Sequence, residues 1–215
     1  LVLSRDLGNA LIFFLTYLFM LFVATGKWLY LGSGLAAGCA ASVAAYRLFP
    51  HVQRRVAAWR DPWSDVADTG YQIAQSLFAI GTGGWLGMGL GRGLPEKIPV
   101  VEEDFMISAV AEELGGLFAI CLILICLGCF LQFMMIAVRM QAMFYKLIAF
   151  GLGCEYIVQV LLTVGGAVKF IPLTGVTLPL VSYGGSSVAG TFILFSVIQG
   201  LYILKRNEEE EDEEK

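Results

Sequence analysis

Apolar residues gather in long blocks separated by short polar or glycine-rich stretches. A bilayer-spanning helix needs about 20 mainly apolar residues, and five blocks reach that scale: Leu7–Ala24, Trp28–Phe49, Phe105–Val138, Leu147–Val168 and Val188–Leu204. The second is rich in small residues around Gly32, Gly34 and Gly38, a composition that lets neighbouring helices approach closely. The third is entered through a polar turn with Glu112 and Glu113, an acidic pair that needs partners at membrane depth. An odd number of spans puts the two ends on opposite sides. The pattern predicts an all-α, polytopic membrane helix bundle with five transmembrane helices, over residues 1–206.

Two stretches break the pattern. Residues 50–104 form a long loop containing an apolar segment, Tyr71–Ile80, too short to cross and expected to lie as an interfacial or re-entrant helix. Trp59, Trp63 and Trp85 suit the headgroup level. Seven glycines between Gly81 and Gly93 require tight turns or close backbone approach. Irregular backbone at membrane depth survives only when protein or water surrounds it. The second break, Lys169–Ser187, holds Pro172, Gly175 and Pro179 and ends in the polar run Ser182-Tyr183-Gly184-Gly185-Ser186-Ser187.

Composition agrees with a membrane solvent: 58% hydrophobic and 15% charged residues, with a mean hydropathy of +0.75. The net charge of -4 comes from the terminal run Glu208–Lys215, with seven acidic residues and one lysine. Residues 207–215 are therefore expected to be a solvated, disordered acidic tail. Scattered basic residues exclude a nucleic-acid surface. The five cysteines lie inside apolar runs, and His51 is the single histidine, so zinc or redox chemistry finds no ligand set. The first six residues show neither an initiator Met nor a cleavage pattern, and read as the middle of a longer chain.

The short connections carry Lys27, Arg139, Lys146, Lys205 and Arg206 on one side, against Arg5 and Lys169 on the other. The positive-inside rule puts the richer side in the cytoplasm and both irregular loops outside. One face then gathers Asp6, Arg54, Arg55, Glu102, Glu103, Asp104 and the Ser182–Ser187 loop. Arginine forks match phosphate oxygens, and a carboxylate at the edge of an apolar region can act as a base. The same charges also fit an ordinary solvated loop. Asp6 also fits a helix N-cap. Gln159 and Thr163, four apart on the fourth span, fit interhelical hydrogen bonds.

At these residues the sequence resembles the SEDS family, the RodA/FtsW glycosyltransferases. The resemblance lies in Arg5-Asp6-Leu7-Gly8-Asn9-Ala10; in Arg54-Arg55-Val56, Asp61-Pro62-Trp63 and Gly70-Tyr71-Gln72; in Glu103-Asp104-Phe105 with Ala111-Glu112-Glu113-Leu114-Gly115; and in Pro172-Leu173-Thr174-Gly175 with Leu178–Ser187. It implies a ten-span fold of which these are the last five, in the bacterial plasma membrane. It implies a peptidoglycan glycosyltransferase polymerising lipid II, with Asp104 as general base and Arg54, Arg55 or a divalent cation (Mg2+ or Mn2+) stabilising the pyrophosphate. By the same resemblance Asp6, Glu113, Ser182, Tyr183, Ser186 and Ser187 would contact substrate. A class B penicillin-binding transpeptidase would be the partner. Asn9, Glu103 and Thr163 depart from the family's usual Thr, Thr and Asn. A lipid II flippase and a non-catalytic scaffold for the transpeptidase are the competing readings.

Overall fold

The computed structural model describes residues 6–64, 66 and 70–213; Arg5, singled out above, lies outside them. Eight α-helices follow in order: α1 Leu7–Thr25, α2 Trp28–Leu48, α3 Pro50–Arg60, α4 Tyr71–Gly83, α5 Met106–Glu113, α6 Gly116–Arg139, α7 Met143–Ala167 and α8 Gly185–Glu213. Five of them, α1, α2, α6, α7 and α8, are long and apolar enough to cross a membrane. They are the five predicted spans, with shifted ends.

The shifts have local causes. Gly26 ends α1 in the left-handed region (φ 65°), its N–H donating to the Phe22 carbonyl at 2.8 Å. Pro50, which has no N–H to donate to α2, instead opens α3 at the position where helices accept proline. The expected loop is therefore helical over Pro50–Arg60, and Asp61, held extended by Pro62, stops it. The predicted third span is two helices. Gly115 (φ 93°) cannot continue a helix, so α5 ends at Glu113 and the crossing starts at Gly116. α8 continues into the acidic run as far as Glu213. Glutamate is a good helix former, a helix already nucleated by the span adds residues without a new nucleus, and Arg206 pairs with Glu210 at 3.0 Å.

α7 is the axis of the bundle, packed on α1, α6 and α8. Half of its apolar window is buried, whereas α2 buries none and packs on α1 and α3. Glycines set the spacing: Gly151 of α7 admits the Met20 side chain of α1, and Gly153 admits Met134 of α6. Phe133, Tyr156 and Phe195 stack edge-on with centroids 5.2 to 5.8 Å apart, joining α6, α7 and α8. The five cysteines are free thiols.

Both irregular stretches lie on one face, as the alternation of spans requires. Trp59 Nε1 donates to the Lys169 carbonyl at 3.1 Å. Ser76, fully buried, shares a 2.7 Å hydrogen bond with Ser108 and donates to the Ala167 carbonyl at 2.8 Å. Trp59 therefore fastens α3 to the second loop.

Candidate active site

The site begins with a turn. The backbone N–H groups of Glu103 and Asp104 both donate to the Val100 carbonyl, at 3.1 and 3.2 Å, and the next residue, Phe105, is fully buried. Phe105 anchors the turn in the core while Glu102 and Glu103 stay exposed and Asp104 is half-buried. Tyr183 N–H donates to the Glu102 carbonyl at 2.7 Å, so the second loop is bonded directly to the acidic turn.

Arg55 reaches the same place from α3. Its Nη1 donates to the carbonyls of Thr174 (3.2 Å) and, more weakly, Leu173 (3.4 Å). Between Arg55 and Asp104 lies Gly175, in the left-handed region (φ 76°). A methyl group on Gly175 would stand 3.8 Å from Arg55 Nη2 and 3.9 Å from Asp104 Oδ2. The guanidinium and the carboxylate thus converge on one glycine.

Burial raises the Asp104 pKa above the ordinary carboxylate value, the charge of Glu103 raises it further, and Arg55 opposes both. A base works only when deprotonated, so activity resting on Asp104 falls as pH drops through this raised pKa. Glu103→Gln removes a raising charge and should move the acid limb of the kcat profile to lower pH. Arg55→Gln removes the lowering charge and should move it to higher pH, while Arg55→Lys, keeping the charge, should restore most of the shift. Limbs unmoved in all three would exclude Asp104 as the group being titrated.

A cavity of about 570 Å³ opens beside the turn. Asn9 and Glu103 stand with Tyr183, Ser186 and Ser187 in its wall, and it continues between α7 and α8 past Gln159 to Glu155. Gln159 Nε2 donates to the Thr177 carbonyl (2.9 Å), Thr163 Oγ1 to that of Val176 (2.8 Å) and Thr177 Oγ1 to Ser187 Oγ (2.7 Å). Gln159 and Thr163, read as helix-to-helix glue, therefore hold the second loop. A second cavity of about 590 Å³ lies across Tyr183 and Gly184, walled by Glu102, Met106, Val181, Ser182 and Val188.

Glu155 was missed by the sequence reading. A carboxylate inside a 25-residue apolar helix was the available signal. It faces the same side of α7 as Gln159, one turn and about 6 Å further into the span.

The other expected site residues divide. Ser182, buried, accepts from Leu178 N–H at 3.0 Å and shapes the turn; Tyr183 is 72% exposed between the two cavities. Asp6 is occupied as a cap: its carboxylate accepts from Asn9 N–H (3.1 Å) and Asn9 Nδ2 (2.7 Å). Arg54 is exposed and bonded to no described residue. Glu113 lines neither cavity and instead accepts from Gly91 N–H at 3.1 Å, as Glu112 accepts from Leu94 N–H at 3.2 Å. The partners of the acidic pair are thus backbone amides of the glycine-rich loop. The described residues also offer no group of three or more His, Cys, Asp or Glu side chains that could hold a metal.

Five helices long and apolar enough to cross a membrane, with a carboxylate, an arginine and two cavities gathered at one face, define a multi-pass membrane protein. The sequence model of the FtsW/RodA/SpoVE cell cycle proteins matches residues 1–207. The chain belongs to that family, the SEDS family. It is 38% identical over 197 residues to the peptidoglycan glycosyltransferase RodA of Mycobacterium tuberculosis, covering 92% of this chain and 42% of that one. With the probable peptidoglycan glycosyltransferase FtsW of Aliivibrio salmonicida it shares 37% identity over 211 residues, covering 94% and 51%. A solved chain from a peptidoglycan synthase complex that coordinates polymerization and crosslinking superposes with a TM-score of 0.76 at 26% identity, covering 96% of this chain and 57% of that one. The chain spans about half the length of the curated relatives it matches.

Proposed function

We propose that this chain carries the catalytic face of a peptidoglycan glycosyltransferase, as the last five spans of a ten-span fold in the bacterial plasma membrane. The observation behind it is Asp104, half-buried with a raised pKa, set against Arg55 across Gly175 beside a cavity at the bilayer boundary. Asp104 takes the proton of the 4-hydroxyl of an incoming lipid II. The oxygen attacks the anomeric carbon of the growing strand, that carbon inverts, and undecaprenyl pyrophosphate departs with the bonding electrons. A pKa lifted toward neutrality makes the carboxylate a stronger proton acceptor than an exposed aspartate.

Charge on the leaving pyrophosphate falls to arginine. Arg55 keeps N–H groups beyond the one on the Thr174 carbonyl, and Arg54, bonded to no described residue, lies next to it on α3. Tyr183, Ser186 and Ser187 line the cavity where sugar hydroxyls need hydrogen-bond partners. The relatives' names and the solved complex support the reaction class and a transpeptidase of the penicillin-binding type as partner.

A transporter of the same lipid is the alternative with an observation behind it, because the cavity runs down to Glu155 inside the span. Labelled lipid II supplied to the full-length protein in liposomes separates the readings. Glycan strands on a gel are the expected result. Labelled lipid crossing the bilayer with no strand formed would establish the transporter, and strands appearing only through an added polymerase would establish a scaffold.

A further inference from the structure

The glycine-rich loop after α4 is built like a membrane-embedded element. No charged residue occurs from Gly70 to Gly91. Its large side chains point outward: Trp85 is 70% exposed, Leu86 84% and Leu90 76%. In water such a patch would be a liability on a segment this free of charge. Its backbone, by contrast, is tied into protein. The N–H groups of Gly87, Met88 and Gly89 donate to the carbonyls of Gly83, Glu112 and Glu113 at 2.8 to 2.9 Å, and Gly91 N–H donates to the Glu113 carboxylate. The carbonyls of Gly84 and Trp85 accept from Gly116 and Leu117, at 2.8 and 3.2 Å. Internal satisfaction of this kind is what hydrocarbon demands of irregular backbone and water does not.

The last two bonds also fix where the loop lies. Gly116 and Leu117 open α6, a span long and apolar enough to cross a membrane, whose Leu117, Phe118 and Ile120 are 46 to 51% exposed. The 24 residues of α6 extend about 36 Å, so its first turn reaches the boundary between headgroups and acyl chains. Trp85 and Leu86 continue that exposed apolar surface sideways.

We propose that the Gly84–Gly91 loop, through Trp85, Leu86 and Leu90, is inserted into the upper acyl region of the leaflet on the Asp104 side, with lipid chains as its partner. Glu112 and Glu113 are the latch that holds the inserted loop at one end of α5. Asp104 lies just beyond the other end, so the insertion fixes the carboxylate's height relative to the bilayer, about 12 Å along the helix axis from the latch. The proposal holds whatever reaction Asp104 performs.

Tryptophan fluorescence tests it. Full-length protein and its Trp85→Phe variant are reconstituted in phosphatidylcholine brominated either high or low on the acyl chain, and the difference signal isolates Trp85. That signal should be quenched at least about twofold more by bromine high on the chain than by bromine near its end, and should resist aqueous iodide. Quenching by iodide places the loop in water, and quenching by neither reagent places it against protein. Either result overturns the proposal, as does stronger quenching from the deep bromines. Trp85 is exposed, so the substitution spares the fold; matching melting temperatures confirm that.

Discussion

On the proposed reading, Asp104→Asn should abolish strand polymerisation by the full-length protein while leaving it folded, with an expected loss of about 10²- to 10⁴-fold in kcat, the usual contribution of a general base. The amide has the carboxylate's shape, so the methyl-sized gap at Gly175 and the Arg55 bonds to Thr174 and Leu173 survive. What disappears is the proton acceptor. The contrasting variant is Asp6→Asn. Asparagine caps a helix about as well as aspartate, and among the described residues the Asp6 carboxylate bonds to Asn9 of its own helix, so activity should stay within about threefold. Radiolabelled lipid II and a melting curve for each variant decide the matter. If the Asp104 variant retains more than about a tenth of the wild-type rate, Asp104 is no base; if both variants fall equally, Asp6 belongs to the chemistry after all.

The largest effect on stability is expected at Gly115. Its φ of 93° is a region that side chains rarely adopt, and a methyl group there would meet the backbone, at 2.5 Å from Gly87 N and 2.6 Å from Leu86 C. Gly115→Ala therefore combines backbone strain of about 1 to 3 kcal/mol with an overpacking cost of about the same size, and the colliding atoms are main chain that cannot rotate away. Gly26→Ala is the reference. Its φ of 65° carries the left-handed penalty alone, with open space around the new methyl, so it should cost about 1 kcal/mol. Thermal unfolding in detergent should show a drop for Gly115→Ala several times larger than for Gly26→Ala. Equal drops would mean that close packing of the α5–α6 junction on the glycine-rich loop contributes nothing.

The placement of the candidate residues was legible to different degrees for identifiable reasons. Asp104, the serines of the second loop and Tyr183 stood out as candidates because they sit in long motifs with a distinctive order. Arg54 and Arg55 looked equivalent, being adjacent and identical. A helix separates neighbours by about 100°, so one turns to the loop carbonyls and the other to the exterior. The resemblance put Glu113 among the substrate contacts, and the sequence could not show that backbone amides of Gly91 and Leu94 are partners of the acidic pair. Glu155 passed unnoticed within an apolar block, since hydropathy averages over a window and one carboxylate barely lowers it.

The sequence by itself determined the spans, the odd crossing number and the gathering of two irregular loops on one face, because bilayer thickness converts directly into a count of apolar residues. It also marked where the backbone must turn tightly, through the seven glycines between Gly81 and Gly93. Only the tertiary structure decided that Arg55 and Asp104 meet across Gly175, that α7 is the axis, and that the acidic pair grips the glycine-rich loop. Those facts depend on which residues far apart in the chain come within hydrogen-bonding distance. Periodicity and composition measure what lies along the chain and carry no information about distance across it.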